Sequence, residues 1–267
     1  LLIKVLYLNN NLVMKASEKN FKAGAAFENI TPPGPQFLYG YPFVERMSTG
    51  VHDWLLSSAL YLTDGREPVI LISNDLIYVS KASVNRIRKA VSEKTGVPAA
   101  HILVSATHTH SGPVTADCIV SEHDCVVPKA DEKSVRYIEG KIINAAIRAV
   151  SNASQAEAGF FIADGTGIGT NRHDPAGPSD MEVPVMVVRA QESKTSIACL
   201  LICNMHPTVL HEDSTLVSGD FPACAREIIQ KEYLGCECPV IWFTGTAGNQ
   251  SPRRSEERRV GKECRSR

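Results

Sequence analysis

The stretch PVILISNDLIYV, Pro68–Val79, decides how the fold is read. It is an apolar run dominated by Ile and Val with a turn signal before it, the pattern of a strand buried on both faces. KASVNRIRKAVSEKTG follows, with Val84, Ile87 and Val91 at helical spacing and Gly96 as a stop. HILVSA, 101–106, reads as a second strand. Working outward, a long polar loop runs to about Lys129. EKSVRYIEGKIINAAIRAV, 132–150, then predicts a helix with Val135, Ile138, Ile142, Ala145 and Ala149 on one face. EAGFFIAD, VPVMVVRA and SIACLLICNM read as further strands. DFPACAREIIQKEY predicts a helix with Asp220 as N-cap and Pro222 in its first turn. PVIWFTG, 239–245, is the last strand. Strands alternate with helices, except where strands run consecutively before the last helix. The expectation is an α/β fold with a mixed sheet, flanking helices and a site at the carboxyl ends of strands.

Composition narrows the class. A 43% hydrophobic content over 267 residues suffices for a large core. The net charge of -1, with no basic run before the last residues, argues against nucleic acid as a partner. No stretch approaches the roughly 18 apolar residues of a transmembrane helix. LLIKVLYLNNNLV, residues 1–13, lacks the order of a signal peptide and reads as non-native upstream translation before Met14. At the other end, RSEERRVGKECRSR, Arg254–Arg267, breaks composition abruptly. It resembles the translation of a sequencing adapter and is expected to be a disordered artefact; the alternative is a solvated basic tail. Residues 14–253 are then the protein proper. The seven cysteines outside that tail are not a small disulfide framework and fit a reducing compartment better than an oxidising one. Among them Cys199 and Cys203 read as buried small hydrophobes.

Polar residues that could carry chemistry cluster just after strands. His108 and His110 lie in SATHTHSGP, Ser105–Pro113. If the strand continues, both imidazoles share one face with Cα atoms ~6.6 Å apart, while Thr107 and Thr109 point the other way. Such a pair can converge on one ion; two half-exposed histidines before a turn is the plain alternative. His206 ends the run CNMHPTVLH, where Pro207 forces the chain out of regular structure. Imidazole suits zinc, and a catalytic zinc takes about three protein ligands and a water. His211 reads as solvated. GTNRHDPAGPSD supplies Asn171 and Arg172, the latter a planar donor fork for an oxygen that develops charge, or else a surface ion pair. SGDFPA places Ser218, Gly219 and Asp220 at a helix start, where capping alone accounts for the aspartate. FTGTAGNQSPRR holds Asn249 and Ser251 in a small-residue loop that permits close backbone approach to a ligand.

Taken in order, THTHSGP, NR, HPT with SGD, and AGNQSP resemble the neutral, non-lysosomal ceramidases and their bacterial relatives. AGAAFENITPP and TGVHDWLLSSALYL resemble the start of that family's N-terminal catalytic domain. The resemblance covers roughly Lys22–Pro252. It implies a zinc-dependent amide hydrolase that cleaves N-acylsphingosine to sphingosine and a fatty acid. It implies zinc ligation by His108 and His206. His110, Arg172 and Ser251 become the catalytic candidates: His110 beside the amide and its oxyanion, Arg172 orienting the carbonyl, and Ser251 lining the site. Asn171 and Asn249 are the candidate substrate-binding residues. The implied partner is a lipid-like amide, with contact at a membrane surface. The family's glutamate and tyrosine zinc ligands lie downstream of the SP motif and have no counterpart here. NRHDPAG and Arg253 depart from the family's usual residues. A zinc hydrolase of another amide or ester, and an inactive fragment lacking those ligands, are the alternative expectations. Family members are often secreted or membrane-associated, so the compartment stays open.

Overall fold

The computed structural model describes residues 20–118 and 123–252. The terminal stretches 1–13 and 254–267, singled out above by sequence, lie outside these. Strand β1 (Lys22–Asn29) runs antiparallel to β2 (Leu56–Thr63), and β2 to β3 (Pro68–Asn74). Helix α1 (Lys81–Thr95) then carries the chain to β4 (Ile102–Ala106), which lies parallel to β3. Helix α2 (Glu132–Ser151) leads into β5 (Ser154–Asp164), β6 (Glu182–Ala190) and β7 (Ser196–Cys203), with β6 antiparallel to both β5 and β7. Helix α3 (Phe221–Ile229), extended by a π turn at Gln230–Leu234, returns β8 (Val240–Thr244) parallel to β7. The eight strands form one mixed sheet in the order β8-β7-β6-β5-β1-β2-β3-β4. Among the described residues the fold is α/β with three flanking helices, as the residue pattern predicts.

The sheet folds over on itself. β1 meets β5 through only two residue pairs, Lys22 with Gln155 and Ala23 with Ser154. On either side of that joint lie two four-stranded halves. Their facing surfaces bury Ala23, Ala25, Leu60, Ala158, Met186, Val188 and Ile241. The outer face of the β1–β4 half is covered by α1 and α2, where Ile70, Ile72 and Ile102 meet Ile87, Val91, Ile138 and Ile142. The outer face of the other half lies under α3, with Trp242, Val240 and Leu201 against Ala225. Period-2 alternation on each strand sends one set of side chains inward and the other under a helix. Gly24 shows how close α2 comes: a Cβ there would sit 2.3 Å from the Ala149 carbonyl.

Several boundaries move from the sequence reading. The strand read as 68–79 ends at Asn74, because Asp75 turns inward. Its carboxylate accepts the Leu56 amide at 2.9 Å and a bidentate pair from Arg226 of α3. His101 belongs to a short 3-10 turn, not to β4. β5 begins three residues before the predicted strand. Asp220 caps α3 as expected, but at φ 61, with its carboxylate also taking the amides of Val209 and Leu210. Cys199 and Cys203 are buried in the layer under α3, as expected. Two strands, β1 and β2, carry no clear strand signal in their Ala- and Ser-rich sequences. No helix among the described residues is long and apolar enough to cross a membrane.

Candidate metal centre

The site lies at the end of the molecule where β4 and β7 finish. β3 ends at Asn74, so β4 loses its partner two residues before His108. The chain then turns: Thr107 N–H donates to Asn74 O at 2.8 Å and His108 N–H to Leu76 O at 2.9 Å. His108 takes φ 68, a left-handed conformation uncommon outside glycine. The strand therefore does not continue through Thr107–His110. The turn, rather than strand alternation, aims His108 and His110 at one point. Thr107 and Thr109 are fully buried. Thr109 Oγ1 donates to Ser218 O at 2.8 Å, and Thr107 O accepts from Thr244 Oγ1 at 2.6 Å.

His206 arrives from β7, in the other half of the sheet. Its N–H donates to Gln250 O at 3.1 Å, and Pro207 carries the chain away. The three rings form a tight cluster. Centroids are 4.6 Å apart for His108 and His206, 5.0 Å for His110 and His206, and 5.1 Å for His108 and His110. One nitrogen of each lies within 4.8 Å of the others, and His110 Nε2 is 3.1 Å from His206 Nε2.

Backbone carbonyls set the tautomers. His108 Nδ1 faces Ile77 O at 3.0 Å, and His206 Nδ1 faces Ala247 O at 3.2 Å. A carbonyl only accepts, so both Nδ1 atoms carry the proton and both Nε2 atoms hold a lone pair. Such Nδ1–H to carbonyl bonds are the arrangement that orients metal-bound histidines. Burial keeps the rings neutral. His108 is pushed below its ordinary pKa of 6.5 chiefly by burial. Burial, then the neighbouring His108, His206 and Arg46, takes His110 down to about 3. His206 falls to about 4 for the same leading cause. Two neutral imidazoles with Nε2 lone pairs, and a third neutral ring whose Nε2 lies beside them, are a donor set that fits a borderline-soft divalent cation.

The other residues named by sequence sit around this cluster unevenly. A two-stranded ribbon pairs Gly169–Asn171 with Gln250–Pro252. It brings Arg172 beside Asn249, whose carbonyl accepts the Arg172 N–H at 2.7 Å. The Arg172 guanidinium donates to Gly248 O at 2.6 Å, and its charge helps lower the pKa of His108 and His206. Ser251 lies on the same ribbon opposite Thr170, and its hydroxyl bonds to none of the three histidines. Asn171 and Asn249 both spend their side-chain amides on Pro178 O, at 3.0 and 3.3 Å, clasping the 172–178 loop.

Sequence reasoning missed four residues. Tyr41 meets His110 edge-on at 5.2 Å, and Tyr78 meets His108 at 5.3 Å. Gly40 lies against the His110 ring, and Arg46 donates to the His110 carbonyl at 2.8 Å. Their sequence signal is weak: PGPQFLYGYPF, 33–43, which holds Gly40 and Tyr41, is an apolar stretch with no residue pattern of a metal site.

No family model matches the chain. Solved structures that share its fold include two ceramidases. One is neutral ceramidase from Pseudomonas aeruginosa, at a TM-score of 0.78 and 18% identity, over 87% of this chain and 39% of that one. The other, described as a ceramidase complexed with C2, gives the same figures. The fold is ceramidase-like, and the chain spans about two fifths of the length of these two proteins.

Proposed function

We propose that the chain is part of a zinc-dependent amide hydrolase of the ceramidase kind, cleaving N-acylsphingosine to sphingosine and a fatty acid. The observation that carries this reading is the convergence of His108, His110 and His206 on a ceramidase-like fold. His108 and His206 would hold the ion through Nε2, since their Nδ1 protons are committed to carbonyls. Zinc in such a set supplies Lewis acidity, polarising a carbonyl and acidifying water toward neutral pH. His110, whose Nε2 lies 3.1 Å from His206 Nε2 beside the pair of ligands, would contact the scissile amide and its developing oxyanion. Arg172 adds a fixed positive charge to the same side, of the kind worth about 3 kcal/mol per oxyanion donor. Hydrolysis breaks the amide C–N bond and adds water, giving a carboxylic acid and an amine. Ser251 is the weaker candidate for nucleophile, because nothing arranges a base against its hydroxyl.

Metal analysis and turnover of ceramides against short N-acyl amines test the reading. One equivalent of zinc is expected in the wild type, and its loss in His108→Ala with His206→Ala. A double variant that keeps full zinc and full amidase activity would sink it. Preference for short N-acyl amines would keep the zinc hydrolase and discard the sphingolipid substrate.

A further inference from the structure

Arg46 is fully buried, at 1% exposure, yet no carboxylate among the described residues pairs with it. Asp213 and Glu212 act on its charge only from a distance, and a buried cation is costly unless its donors are satisfied. Carbonyls satisfy them here: His110 O at 2.8 Å, and Ser214 O at 2.9 and 3.1 Å from two nitrogens. Its guanidinium also lies over the Tyr41 ring, 4.9 Å from the centroid. Tyr41 in turn presses edge-on against His110 and donates its hydroxyl to Leu210 O at 3.2 Å. Gly40 closes the other side at φ 137, where any Cβ would fall 2.5 Å from the His110 ring.

We propose that Arg46 is a positioning residue for the candidate metal centre. Through the His110 carbonyl and the Tyr41 ring it holds the His110 imidazole against His206. The inference rests on reading the cluster as a metal centre, but it concerns which residue shapes that cluster. Its geometry is that of a clamp. One planar fork ties three loops, those of residues 40–46, 108–111 and 210–215, and only a guanidinium reaches two carbonyls while stacking on a ring.

The test uses the full chain with Arg46→Met, Arg46→Lys and Tyr41→Leu. The first readout is the imidazole nitrogen–proton NMR spectrum of the metal-free protein, with circular dichroism to confirm folding. Wild type is expected to show a dispersed, ordered His110 ring. Arg46→Met should collapse it toward a mobile ring's averaged shifts, Arg46→Lys should restore it in part, and Tyr41→Leu should weaken it. The second readout is cobalt(II) titration followed by its visible bands. There Arg46→Met should weaken binding about 10- to 100-fold, the range for groups that orient metal ligands. Unchanged His110 signals in folded Arg46→Met overturn the proposal. If that variant does not fold, wild-type signals in both Arg46→Lys and Tyr41→Leu overturn it instead. Wild-type protein that takes up no cobalt would remove the metal reading, while the ring spectrum would still decide the role of Arg46.

Discussion

His108 combines two demands that a single residue seldom meets. Its backbone sits at φ 68, and its Nε2 must face the cluster. Asparagine tolerates the left-handed region and alanine does not, at a cost of roughly 1–2 kcal/mol. His108→Asn is therefore expected to be about 1 kcal/mol more stable than His108→Ala in urea unfolding, while both lose metal. Gly40→Ala is expected to disturb the site without touching a ligand, because its Cβ collides with His110. Acid should act through the same rings. Folded-state values depressed below 6.5 mean that the unfolded chain takes up these protons first. Stability of the metal-free protein should hold above pH 6.5 and drain away as pH falls toward about 3, the value of His110. Asp220 opposes this. Burial raises its carboxyl to about 6, so its contribution is full below 3.8 and is lost as pH rises through 6. Unfolding of wild type against His110→Asn with His206→Gln, from pH 7 to 5, separates the two: the variant should lose less.

At the scale of elements, the turn after β3 is fastened to α3 by a buried ion pair. Asp75 is 0% and Arg226 4% exposed, and Arg226 meets both carboxylate oxygens. Removing one partner strands the other charge. Arg226→Met alone is expected to cost about 3–5 kcal/mol, and Arg226→Met with Asp75→Asn much less. A double-mutant cycle in urea measures the difference. This pair also explains where sequence reading stopped. PVILISND has the right period for a strand, but nothing in it announces that Asp75 meets an arginine 151 residues later. α1, α2 and β6–β8 were legible because apolar period and caps act locally. β1 and β2 were not, since AGAAF and SSALYL bury small residues whose strand preference comes from packing. His108, His110, His206 and Arg172 were legible as chemistry beside strand ends. Their convergence through a left-handed turn was not, and neither were the roles of Gly40, Tyr41 and Arg46, more than 60 residues away in sequence.

At the scale of the whole molecule, the cluster draws ligands from both halves of the folded sheet. His108 and His110 follow β4 in one half, and His206 follows β7 in the other. β5 leaves a further mark: past Gln155 no described strand pairs with its β1 side, and Phe160 and Ile162 are 46% and 60% exposed there. Such an apolar edge invites pairing with another chain, so self-association rising with concentration is expected, and Ile162→Lys should reduce it in light scattering. The two-pair joint between β1 and β5 has a different consequence, one of cooperativity. Segments joined by few backbone bonds tend to open as separate units. In amide hydrogen exchange the β1–β4 half and the β5–β8 half should show distinct opening energies without metal. An ion held by His108 and His206 would cross-link them far from the joint, and zinc should then slow exchange in β4 and β7 together, merging two openings into one.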